Sequence, residues 1–178
     1  IYVHSFYRAG PILGSALAGI DQALWDIRGK VFGQPIYRLL GGPVDPQGVR
    51  GYYHASAGTP QEMARLREGL GQAIDIGIDF HAKCSPSVAT VICREVEPLQ
   101  LMFIEEPCPP ENVKAMARIA RRTVTPIATG ERLITSFGCR EVIEQRVADI
   151  IQVDINHVGG ISPLWKVGAI AEAGGVRM

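Results

Sequence analysis

The sequence is first informative through what it does not contain. It has no surplus of charge: eighteen Lys and Arg balance eighteen Asp and Glu over 178 residues. A neutral chain has no long-range field to draw it to nucleic acid or anionic lipid, so neither is expected as a partner. It has no CxxC pair. Cys84, Cys93, Cys108 and Cys139 fit no zinc template and are expected to be reduced thiols of the intracellular kind. No apolar run reaches the roughly 18 residues of a membrane span. The opening IYVHSFYRAG lacks the charged start and apolar stretch of a secretion signal. A cytoplasmic location is the default expectation. No nucleotide-binding glycine fingerprint is present either.

What is there describes a folded chain, with 47% hydrophobic and 20% charged residues. From Gly14 to about Phe32, apolar residues at Leu17, Ile20, Leu24, Ile27 and Val31 predict a helix, with Ser15 as its cap. The LLGGPVDPQG loop follows. Short apolar runs then alternate with amphipathic stretches. Strands are predicted over 49–55, 74–80, 101–107, 126–131 and 148–155, with the start of a sixth at 176. Helices are predicted from Pro60, over about 85–98, 110–122, 136–146 and 162–173. Such alternation implies parallel βαβ units, and without the glycine fingerprint it favours an incomplete (β/α)-barrel over a doubly wound sheet.

Three acids stand out against this frame. Asp79, Glu105 and Glu131 each close a predicted strand and follow one another at 26-residue intervals. That interval is about one strand, one helix and their loops, so each acid occupies the same place in successive units. In a barrel this gathers three carboxylates on the face where catalytic groups collect. They repel one another unless a cation sits among them. An all-oxygen donor set selects a hard ion, and Mg²⁺ is the one expected. A mononuclear iron site of the two-histidine type is excluded, because Asp79-x-His81 supplies one histidine and leaves the glutamates unexplained.

These motifs, GIDFHAKCSP (77–86), FIEEP (103–107), ATGERL (128–133) and QVDINHVGGIS (152–162), resemble the successive strand ends of the mandelate racemase branch of the enolase superfamily. SALAGIDQALWDIRGK (15–30) resembles the helix leading into its barrel, and PIYRLLGG (35–42) the turn after it. Within that branch the Asp-x-His pair is most similar to D-galactonate dehydratase and related sugar-acid dehydratases. The resemblance implies that residues 1–42 end a capping region and 43–178 form part of the barrel. It implies Mg²⁺ on Asp79, Glu105 and Glu131, with Glu106 turned to the other side of its strand. The expected reaction removes the proton alpha to a sugar-acid carboxylate and expels the β-hydroxyl, giving a 2-keto-3-deoxy acid.

His81, two residues past a ligand, would share the metal's face of an extended strand and protonate the departing hydroxyl. Asp154 matches the aspartate that orients the proton-abstracting histidine, which would fall beyond Met178. Arg132 and His54 are candidate substrate contacts, and His157 reads as a loop residue. A strand–helix unit with a basic substrate contact is expected to be missing between Tyr53 and Ile74. The lone chain is therefore expected to turn over little or nothing, and its full-length parent to be an active homo-oligomer. A racemase or epimerase on the same fold, or a non-catalytic metal-binding module, are the alternatives.

Overall fold

The computed structural model describes residues 10–43, 45–48, 51 and 57–178. The first helix, α1 (Pro11–Phe32), has proline at its first position and closes on left-handed Gly33. This corrects the expected cap: the fixed φ of Pro11 starts the helix with Gly10 as N-cap, and Ser15 lies exposed inside it. After the single turn α2 (Ile36–Leu39), α3 (Pro60–Leu70) begins at Thr59. The Thr59 hydroxyl accepts from the Glu62 N–H at 3.2 Å, while the Glu62 carboxylate accepts from the Gly58 N–H at 2.6 Å. Two donors at the helix start are thus satisfied locally.

From there strand and helix alternate: β1 (Gly77–Asp79), α4 (Pro86–Val96), β2 (Phe103–Glu105), α5 (Val113–Ala120), β3 (Ile127–Thr129), α6 (Thr135–Glu144) and β4 (Ile150–Ile151). The short α7 (Ile155–Val158) and then α8 (Ile161–Gly174) follow, and Arg177 forms a parallel bridge to Ile150. The strands are shorter than the apolar runs that predicted them. Most of the strand expected over 49–55, with His54, lies outside the described residues.

All four strands are parallel in the order β1-β2-β3-β4. Each new strand is added beside the last, which is the arrangement of a (β/α)-barrel arc; a doubly wound sheet reverses its order. Ile78 pairs with Ile104, Ile104 with Ile127, and Ala128 with Ile150. Gly77 suits its register because any Cβ there would come 2.6 Å from the Phe103 ring. Ile104, Ile127, Ala89, Val96, Met116 and Ile119 form one buried cluster, and Ile151, Cys139, Ile143, Val167 and Ala171 a second. β3 is buried at all three residues, while β1 is not fully covered at any. The four cysteines are free, and burial pushes the Cys93 thiol up to about 12, so it stays protonated and inert. Among the described residues no helix is long and apolar enough to cross a membrane.

One buried charge ties the start of the sheet together. Arg67, 7% exposed, donates from Nε to the Leu99 carbonyl at 2.9 Å and from Nη1 to those of Gly71 at 2.9 Å and Ile74 at 2.7 Å. Nη2 adds the Gln100 carbonyl at 3.3 Å. The guanidinium fork thereby fixes the end of α3, the approach to β1 and the approach to β2. Arg67→Leu would remove the four bonds that join these segments, and we expect a loss of about 2 kcal/mol. Arg67→Lys, which cannot span the same fork, should recover only part of it. Urea unfolding of the two variants measures both.

Candidate active site

The parallel register sets Asp79 directly beside Glu105 at the C-terminal ends of β1 and β2. Glu105 in turn pairs with Ala128 of β3. Glu131 does not close a strand as expected, because β3 ends at Thr129 and Glu131 lies in the turn beyond it. The link is Gly130, at φ 147°, where a Cβ would come within 2.7 Å of the Gln152 backbone. Only glycine permits that close approach and that backbone angle.

The acids remain close enough to affect one another. Burial pushes the Glu105 carboxyl from 4.5 up to about 7, and the charges of Asp79, Glu131 and Glu106 add to it. Burial and neighbouring like charges both disfavour the ionised form. The donors are not drawn together, however: among the described residues no three His, Cys, Asp or Glu side chains stand at a metal-gripping spacing. Asp79 instead engages His81. Its Oδ1 accepts from the His81 N–H at 2.7 Å, and its Oδ2 lies 3.0 Å from His81 Nε2. The route to this contact differs from the expected strand alternation. β1 has ended, and a positive φ of 47° turns His81 back onto the aspartate.

Behind this edge lies a second set of polar groups. Glu106 follows the last residue of β2 at a φ of 39° and is 2% exposed. Its Oε2 accepts from Arg132 Nε at 3.0 Å, while Oε1 is buried without a hydrogen-bond partner. Burial raises the Glu106 carboxyl and the Arg132 charge opposes that rise. Arg132, read from sequence as a substrate contact, is therefore tied at Nε to Glu106, with Nη1 3.9 Å from Glu111.

The end of β4 contributes Asp154 and His157. Asp154 caps α7, its Oδ1 accepting from the N–H groups of Asn156 at 2.7 Å and His157 at 3.0 Å. The His157 ring reaches across to β3's end, with Nδ1 2.6 Å from the Glu131 carbonyl. Sequence reasoning passed over this contact. The signal was available, since His157 follows Glu131 by 26 residues, the same step that relates the acids.

A parallel (β/α)-barrel arc with acids collected on the C-terminal edge of its strands defines a class of enzyme-like scaffold, and comparison with known proteins identifies the family. Residues 47–178 match the profile of the enolase C-terminal domain-like family, and residues 2–41 that of the mandelate racemase / muconate lactonizing enzyme N-terminal domain. The chain belongs to this family, the enolase superfamily in its mandelate racemase branch. A D-galactonate dehydratase of Ralstonia pickettii is 38% identical over 211 residues, covering 97% of this chain and 55% of that protein. The match is longer than the 178-residue chain, so that relative carries residues within it which this chain lacks.

The chain spans about half the length of the curated relatives it matches. A putative dehydratase from Mesorhizobium loti superimposes with a TM-score of 0.89 at 31% identity, covering 99% of this chain and 59% of that one. An L-talarate dehydratase from Polaromonas sp. JS666, solved with Mg and L-glucarate, gives a TM-score of 0.84 at 28% identity, covering 96% of this chain and 56% of that one.

A raised carboxyl favours the folded state while it stays protonated. The Glu105 contribution is therefore fully present below about pH 4.5 and is lost as pH climbs to about 7. In metal-free buffer the unfolding midpoint should fall across that window relative to Glu105→Gln. Parallel denaturant titrations from pH 4 to 8 measure the difference, and parallel pH curves for the two chains would contradict the placement of the acids.

Proposed function

We propose that this chain carries the metal-binding edge of a sugar-acid dehydratase acting on an aldonate of the D-galactonate kind. The observation that carries the reading is Glu105, a half-buried carboxyl raised by burial and by the charges of Asp79 and Glu131. Three carboxylates on one sheet edge repel one another, and a divalent cation relieves that repulsion. The donor chemistry fits: all-oxygen, anionic and partly open to solvent suits Mg²⁺, with water and substrate completing the shell. The L-talarate dehydratase above was solved with Mg, which supports the same choice. Asp79, Glu105 and Glu131 would hold the ion. Bound there, Mg²⁺ supplies positive charge against the negative charge that develops as a substrate carboxylate loses its α-proton.

The remaining roles fall to side chains. His81 stands at the edge beside Asp79, with Nε2 3.0 Å from Oδ2, and it remains exposed enough to meet a substrate. It is suited to protonate a departing β-hydroxyl. Elimination, giving a 2-keto-3-deoxy acid, accounts for such an acid better than racemisation, which needs two opposed bases. Asp154 stands on the same edge as the residue that would orient the α-proton base. The Nη groups of Arg132, and His54, are the proposed contacts to substrate oxygens. On this reading residues 1–42 end a capping region and 43–178 belong to the barrel.

Calorimetric titration of Mg²⁺ into the chain, beside Glu105→Gln, tests the metal site. Binding that the variant loses is expected. A chain that is folded by circular dichroism and binds no Mg²⁺ would sink the proposal. The reaction is tested on the whole protein in deuterated water with D-galactonate and related aldonates. Accumulating 2-keto acid is expected; deuterated substrate returned without loss of water would make it a racemase instead.

A further inference from the structure

We infer that His157 is a positioning residue for Glu131, holding the third acid in place through its backbone carbonyl. The inference rests on the metal-site reading above and concerns how that site is held. Of the three acids, Asp79 and Glu105 end paired strands, so sheet hydrogen bonds fix their backbone directly. Glu131 has no such support, because it lies in a turn past the end of β3. Its carbonyl is gripped instead by His157 Nδ1 at 2.6 Å. A carbonyl can only accept, so this bond sets the proton on Nδ1 and fixes the ring's orientation.

His157 is itself held from several sides. Its N–H donates to Asp154 Oδ1 at 3.0 Å, and its carbonyl packs so closely on α1 that a Cβ at Gly14 would come within 3.0 Å of it. His157 lies in the helical turn α7 and not in a loop as the sequence suggested, and α7 and the start of α8 are fastened to α1 at two further points. Gln22 Nε2 donates to Asn156 Oδ1 at 3.1 Å, and Asp21 Oδ2 accepts from the Ser162 N–H at 2.9 Å. Next to Glu131, Arg132 is anchored on buried Glu106. The turn that presents Glu131 is therefore clamped from the β2 side through a side chain and from the β4 side through His157. Outer contacts of this kind orient ligands, and losing one typically weakens metal binding by about 10- to 100-fold.

Asparagine carries an amide N–H at the same number of bonds from the backbone as histidine Nδ1, whereas leucine and phenylalanine carry no donor. The test measures Mg²⁺ affinity by calorimetry and metal-free unfolding midpoints for the chain, His157→Asn, His157→Leu and His157→Phe. The last two differ in volume, so either one that folds serves as the donor-free variant. The expected result is Mg²⁺ affinity within about twofold of the parent for His157→Asn and at least about tenfold weaker without the donor. Metal-free midpoints of the Asn variant and the folded donor-free variant should lie close together. Equal Mg²⁺ affinity in all variants would overturn the role of His157 and leave the metal site standing. Affinity that falls only in step with the metal-free midpoint would reduce His157 to a packing residue. Failure of the parent chain to bind Mg²⁺ would overturn the metal site and this role together.

Discussion

Parallel pairing is the constraint from which the rest of this structure follows. A strand that must run in the same direction as its neighbour has to be fed from the same end, so each unit crosses back through a helix before the next strand begins. With units of equal length, residues at the same point of each unit arrive at the same edge. Asp79 and Glu105 are cross-strand neighbours for this reason, although a whole helix separates them in sequence. Their repulsion, added to the burial of Glu105, is the electrostatic fact around which the candidate site is built.

An edge under such strain needs support that the ladder cannot give. The strands are two or three residues long, and the chain beyond each is held by side chains. Several residues just past the strand ends occupy the left-handed region: His81 at 47°, Ala82 at 55° and Glu106 at 39°. Non-glycine residues adopt such angles where surrounding contacts over-determine them. Here those contacts are visible. His81 is folded onto Asp79, and Glu106 is sealed beneath Arg132. With Glu106 buried and Arg132 half-exposed, the pair serves position more than stability, since burying the carboxylate costs much of what the attraction returns.

Much of this was legible in the sequence, and the reasons for success and failure are physical. The helices could be read because periodicity and caps are local: Thr59 and Ser85 both cap as proline-led starts suggest. The acids could be read because equal spacing is a direct consequence of parallel crossover geometry. The failures share another origin. Strand alternation was extended past the point where each strand stops, so His81 reached its position by a turn and Glu131 proved to lie off the ladder. The Glu106–Arg132 and Glu131–His157 contacts join residues in neighbouring units. They depend on how two loops meet in space, which no local pattern records. Even so, both repeat the spacing of the acids, so repeat length carries information about side-chain partners as well as about ligands.

The dependence also runs back to the start of the chain. α1 turns two different faces outward and inward. Ile20, Leu24, Ile27 and Val31 are exposed along one side, while Gly14, Ala18 and Gly29 are buried on another. The buried side, with Asp21, Gln22 and Trp25 beside it, grips the segment that runs from α7 into the start of α8, where Trp25 Nε1 also donates to the Ser162 hydroxyl at 2.8 Å. That segment carries His157, and His157 holds the carbonyl of Glu131. A helix far from the acids in sequence thus helps to set the position of one of them. The small residues on its buried face follow from the same need, because a larger side chain at Gly14 would push away the α7 turn that the third acid leans on.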